Sequence, residues 1–141
     1  MKARVVAAAM LLTTNAASAF AMVRISDDRG GQIGAYLDKY HALRERGDRV
    51  EIDGTCASAC TMLLGVIPRN RICVTPHAVL AFHSAWTPTS EGEQISSAGN
   101  YYLWSNYPPA VRKWIIAHGG LQARIIYLSG AELATMYPRC R

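Results

Sequence analysis

The sequence predicts a single α/β domain. Short strand-like runs alternate with helical stretches along the chain. Two of the strands run into glycine turns, Gly30-Gly31 and Gly54, and each turn opens a helix. Half of the 141 residues are hydrophobic and 18% are charged, which suits one packed core rather than disorder. No internal repeat or low-complexity linker marks a second domain.

The N-terminus reads as an export signal. Lys2 and Arg4 precede an apolar run, Val5 to Leu12, and then small residues ending Ala17-Ser18-Ala19 or Ala19-Phe20-Ala21. Residues 1–21 are therefore expected to be a signal peptide cleaved after Ala19 or Ala21, and residues 22–141 the domain. The apolar run is too short for a membrane anchor, so no stable insertion is expected after cleavage. Cleavage after Ala21 leaves 120 residues (141 − 21). It also removes two cations, taking the net charge from +5 to +3. Basic residues are spread along the chain without interleaved aromatics, which argues against nucleic acid as a partner. The expected location is periplasmic or secreted.

The elements follow in order. Met22 to Ser26 is a brief strand, and Gly30-Gly31 ends it. Helix Gln32 to Arg46 places Ile33, Tyr36, Leu37, Tyr40 and Leu43 on one face, with Gly47 as its stop. Arg49 to Asp53 is a strand, and Gly54-Thr55 makes the turn. A buried small-residue helix begins near Ser58 and carries Ala59, Cys60, Met62, Leu63 and Leu64. After the Pro68 turn come two strand-like runs, Ile72 to Thr75 and Ala78 to Phe82, split by Pro76-His77. Thr87 to Ser97 is polar and reads as a mobile surface loop. Tyr101, Tyr102, Trp104 and Tyr107 have helical spacing, which suits core or interface. Pro108-Pro109 can start a helix through Trp114, with Gly119-Gly120 as its stop. Ile125 to Gly130 leads into a last short helix, Ala131 to Met136.

Two side chains in this layout suit nucleophilic chemistry. Ser58 sits at a strand-to-helix turn, where its hydroxyl is exposed and helix N–H groups can hold an oxyanion. His83 closes an apolar strand and could be its base. The bland alternatives are a helix N-cap for Ser58 and a hydrogen-bonded core histidine for His83.

The stretch Asp53 to His83 resembles the Clp-protease/crotonase superfamily on its ClpP-like side. Its Gly-x-small-x-Ser turn, Gly54 to Ser58, matches the family's nucleophile turn, and His83 follows at the family's spacing of 25 residues (83 − 58). Gly30-Gly31 matches the family's strand-ending glycine pair. The resemblance implies a reduced ClpP/crotonase-like fold of repeated β-β-α units. It further implies Ser58 and His83 as catalytic residues and the N–H groups of Gly31 and Ala59 as oxyanion donors. Cys56-Ala57-Ser58-Ala59-Cys60 also resembles the C-x-S-A-C signature of small secreted members without a settled function. The segment Leu128-Ser129 onward resembles the family's Leu-Ser helix, with Glu132 beside its acidic position. The chain departs from the family where a third, acidic residue is usual. Leu121 to Ile125 contain no carboxylate, and His118 and Gln122 are nearby polar groups. The missing first strands and assembly arm also argue against an oligomeric chamber, while a simpler homo-oligomer stays open.

Cys56, Cys60, Cys73 and Cys140 are even in number and lie in an exported chain, so two disulfides are expected. The preferred pairing is Cys60–Cys73 with Cys56–Cys140. Cys56–Cys60 is disfavoured because it would constrain the turn that presents Ser58. Zinc is disfavoured by the lack of a C-x-x-C, so no metal and no cofactor are expected. Two functions remain. One is a serine hydrolase of peptides or small acyl compounds using a Ser–His dyad. The other is a non-catalytic binding or structural module that keeps the fold. Acyl-CoA chemistry is a poor third, since no acidic catalytic pair is present.

Overall fold

The computed structural model describes residues 20–141, and the signal-peptide reading falls on residues that lie almost wholly outside that range. Strand β1 (Met22–Asp28) leads into helix α1 (Ile33–Arg46), and β2 (Arg49–Ala57) returns parallel to β1. A 3-10 turn (Ser58–Met62) and the short helix α2 (Leu63–Val66) cross over to β3 (Ile72–Val74) and β4 (Val79–Phe82). A hairpin, β5 (Trp86–Thr89) and β6 (Gly92–Ile95), precedes α3 (Ser97–Asn106) and α4 (Pro109–Ala117). Strand β7 (Ile126–Ser129) and helix α5 (Gly130–Met136) end the fold.

The main sheet runs β1-β2-β4-β7, and β3 also pairs with β2. β3 takes the first half of β2, with Ile72 opposite Val50, and β4 takes the second half, with Val79 opposite Thr55. Pro76 and His77 separate the two. β7 closes the sheet antiparallel to β4. The result is a single open mixed α/β sheet domain, as the sequence predicts.

Local chemistry explains the elements. α1 buries Tyr40 and Leu43 on the expected face and stops at Gly47, whose φ of 81° is left-handed. Arg44 and Arg46 in its last turn complement the helix dipole. β2 buries Val50 and Ile52 completely. Gly54 and Thr55 are not the expected turn but lie within β2, which runs on to Ala57. Gly54 lets β1 and β2 touch where their register shifts, because a Cβ there would sit 1.7 Å from the Ser26 carbonyl oxygen. α2 is buried through Leu63, Leu64 and Val66, and the core gathers Met62, Phe82, Leu103, Tyr107 and Ile115 around it.

Three further expectations are corrected. The polar tract at 87–97 is not a structureless loop, since its first part forms the exposed β5–β6 hairpin. Trp86, Thr87 and Thr89 before the turn and Ile95 after it favour strand, and Thr89 closes the turn on the Gly92 carbonyl. The helix expected from Ser58 begins as a 3-10 turn and becomes α-helical only over four residues. Its N-cap is Ala57 and makes no side-chain cap, so Ser58 is not the N-cap of this helix.

The cysteine pairing is the third correction. The bridges are Cys56–Cys60 and Cys73–Cys140, not Cys60–Cys73 and Cys56–Cys140. Register is the reason. Cys73 stands opposite Glu51 on β2, five residues before Cys56, or roughly 16 Å along the strand. The C-terminal tail instead lies beside β3, where Val74 pairs with Arg139 and brings Cys140 to Cys73. Cys56 and Cys60 are 5.3 Å apart at Cα, across a single turn. Glu51, Cys73 and Cys140 are close enough to resemble a metal cluster, but both sulfurs are spent in the bridge.

Candidate active site

Ser58 leaves the end of β2 with φ 56°, and among the described residues it is the sole non-glycine in the left-handed region. That conformation costs about 1–3 kcal/mol and persists only where the surroundings impose it. Several constraints do so. The Cys56–Cys60 bridge brackets the turn, and both cysteines are fully buried. Thr61 donates from Oγ1 to the Ser58 carbonyl at 2.6 Å. Its single proton is thereby used, so Tyr107 is the donor in the 2.7 Å contact between the two hydroxyls. Burial pushes the Tyr107 phenol well above its ordinary range, partly offset by the Thr61 contact, and keeps it in the protonated form this chain requires. Tyr40, also raised chiefly by burial, donates to the Cys60 carbonyl at 2.9 Å.

Gly30 and Gly31 face this turn. Asp28 accepts from the Gly30 N–H at 2.9 Å and from the Tyr36 hydroxyl, which fixes the loop after β1. Burial, with Asp28 second, pushes the Tyr36 hydroxyl up to about 12. The Gly31 N–H has no hydrogen-bond partner among the described residues. Ala59 is buried, and its N–H, second in the 3-10 turn, has no intrahelical acceptor.

His83 follows β4 and is half-buried. Its Nδ1 lies 2.7 Å from the Ser84 carbonyl oxygen. A carbonyl only accepts, so Nδ1 carries a proton, and in the neutral imidazole Nε2 is the nitrogen with the lone pair. Ser84 is held in turn by its N–H to the Gln122 carbonyl at 2.8 Å. A main-chain carbonyl, rather than a carboxylate, therefore orients the imidazole. His118 and Glu132 serve elsewhere. His118 stacks on Trp114 and donates to its carbonyl, and Glu132 accepts from the Trp114 indole.

Ser58, His83, Gly30 and Gly31 line one cavity of about 500 Å³. Ile33, Ala85, Gly99 and Leu103 give it an apolar wall, while Trp86, Thr87 and Pro88 of β5 form one side. Ser58 and His83 share this cavity without a hydrogen bond between them. Sequence reasoning missed Arg29, which also lines it, and the contribution of β5. The signal for Arg29 was its place directly before Gly30-Gly31.

No protein-family model and no curated protein sequence matches this chain. Among solved structures it is similar to a ClpP1 mutant from Listeria monocytogenes. The match has 15% identity and a TM-score of 0.52, and it covers 82% of this chain and 68% of that one. The fold is ClpP/crotonase-like. Among the described residues, no helix is long and apolar enough to cross a membrane.

Proposed function

We propose that the chain is an exported serine hydrolase, periplasmic or secreted, acting on peptides or other acyl compounds. The observation that carries this is the strained Ser58 turn facing, across one cavity, a histidine whose Nδ1 is occupied and whose Nε2 is free. In the reaction, Ser58 Oγ attacks the acyl carbon while its proton passes to His83 Nε2. The negative oxygen that forms is met by the Gly31 and Ala59 N–H groups. The proton then goes from His83 to the leaving group as the acyl–leaving-group bond breaks. Water, deprotonated by His83, cleaves the ester on Ser58 and restores the enzyme. The resemblance at Gly54 to Ser58, and the likeness of the fold to a Clp protease, support the assignment without deciding the substrate.

A small fluorophosphonate tests it. The purified protein should label at Ser58, Ser58→Ala should not label, and His83→Ala should label about 100-fold more slowly or worse. A folded wild-type protein that resists several such probes overturns the proposal. The reading would then be a non-catalytic binding module, which the missing carboxylate and the lack of a hydrogen bond between Ser58 and His83 favour.

The Cys56–Cys60 bridge supplies a second test. It spans four residues and contributes about 2 kcal/mol in the chain-entropy model. Its larger effect should be on Ser58, whose φ can relax once the bracket opens. Replacing both cysteines by alanine should slow labelling about tenfold, the equivalent of 1.4 kcal/mol of turn strain released. Far-UV circular dichroism should stay native, because Cys73–Cys140 remains. Labelling at the wild-type rate would show that the turn holds without its bridge.

A further inference from the structure

We propose that Arg29 makes the Ser58 cavity a receptor for acyl compounds bearing a free carboxylate. The catalytic half of this rests on the hydrolase reading, whereas the binding half does not. Arg29 lines the cavity, is exposed, and forms no ion pair among the described residues. Its neighbour Asp28 does not neutralise it, since that carboxylate is taken by the Gly30 N–H, the Tyr36 hydroxyl and Lys39. Asp27 does not line the cavity, and neither does any other Asp or Glu.

The remaining polar groups reinforce the sign. The Gly31 N–H is unpaired among the described residues, and the start of α1 beside it has no acidic residue in its first turn. A guanidinium on the cavity lining presents a planar fork that matches a carboxylate through two parallel hydrogen bonds. The apolar wall of Ile33, Ala85, Gly99 and Leu103 defines the rest of the ligand. Gly99 packs against Ala85 in this wall too closely to carry a side chain, since a Cβ there would stand 2.5 Å from the Ala85 Cβ. The ligand class is thus an apolar acyl chain or side chain with a carboxylate nearby. A peptide C-terminus and an acidic side chain both satisfy it.

Calorimetric titration of the Ser58→Ala protein tests binding without turnover. The probes are N-acetyl-leucyl-leucine, its C-terminal amide, and N-acetyl-glutamyl-leucinamide. Expected is about tenfold tighter binding of a carboxylate-bearing probe than of the neutral amide, the scale of a charged hydrogen bond. The preference should shrink as salt is raised. Preference for the free-acid dipeptide assigns the site to a C-terminus, and preference for the glutamyl probe assigns it to an acidic side chain. Adding Arg29→Ala should erase the preference, and Arg29→Lys should keep part of it. Equal affinities, no binding at millimolar concentration, or a preference that survives Arg29→Ala overturns the proposal. Fluorophosphonate labelling of Ser58 in the wild-type protein is read separately. Failure of either experiment therefore leaves the other standing.

Discussion

Replacing Cys73 and Cys140 together by alanine should lower the unfolding free energy by about 4 kcal/mol. The bridge joins residues 67 apart, and in the chain-entropy model a loop of that length constrains the unfolded chain by about that much. Domains of this kind have only about 5–15 kcal/mol to lose, so the change is a large share of the total. The folded state adds to the effect. The tail docks on β3 through the Val74 N–H to the Pro138 carbonyl at 2.9 Å and the Cys140 N–H to the Val74 carbonyl at 3.1 Å. These bonds lie at the chain end, where fraying costs least. Without the bridge, the tail that follows the buried Tyr137 is free to leave β3. Equilibrium urea denaturation of the oxidised protein and the double variant measures the difference. A loss below about 1 kcal/mol would mean that the unfolded chain is already compact, and that the bridge restrains little.

The same bridge shows where sequence reasoning stops. The hydrophobic steps of α1, the short strands and the turn at Gly30-Gly31 were legible, because they depend on residues near one another in the chain, whereas the expected turn at Gly54 lies inside β2. Each of these elements appears within a few residues of its expected ends. The cysteine pairing was not legible, because it depends on which half of β2 receives β3. Only the register places Cys73 beside Glu51 and the tail rather than beside Cys60. The hairpin at 86–95 was missed for a related reason. All eight of its strand residues are exposed, so no alternation of apolar and polar residues announces it. At the site, the motif placed Ser58 and His83, and both do line one cavity. The main-chain acceptor for His83 could not be seen, since a carbonyl leaves no mark on residue identity. Arg29 was visible as a residue but not as a cavity wall.

Gly30 and Gly31 look equivalent in the sequence and should behave very differently when each is changed to alanine. Gly30 has φ +82°, and a Cβ there would meet the Ala57 oxygen at 2.6 Å, the Ser58 Cβ at 2.8 Å and the Ala59 nitrogen at 2.9 Å. None of these atoms can rotate away, because they are backbone or Cβ. Gly30→Ala must therefore displace the loop after β1 from the Ser58 turn. The expected loss is about 2–3 kcal/mol of stability, the scale of left-handed strain plus a steric clash. Displacement should also pull the Gly31 N–H away from the nucleophile turn. On the proposed mechanism that removes one oxyanion donor, so fluorophosphonate labelling should fall by about 100-fold or more. Gly31 has an ordinary φ, and its nearest neighbour would be the Tyr36 ring at 3.4 Å. Gly31→Ala should hold its stability within about 0.5 kcal/mol of the wild type. Urea denaturation of both variants reads the stability difference, and labelling of Gly30→Ala at a temperature where it remains folded reads the site. Equal stabilities for the two variants would mean that the loop and the Ser58 turn are not packed as the structure has them. A stable Gly30→Ala that labels at the wild-type rate would remove Gly31 from the proposed oxyanion site.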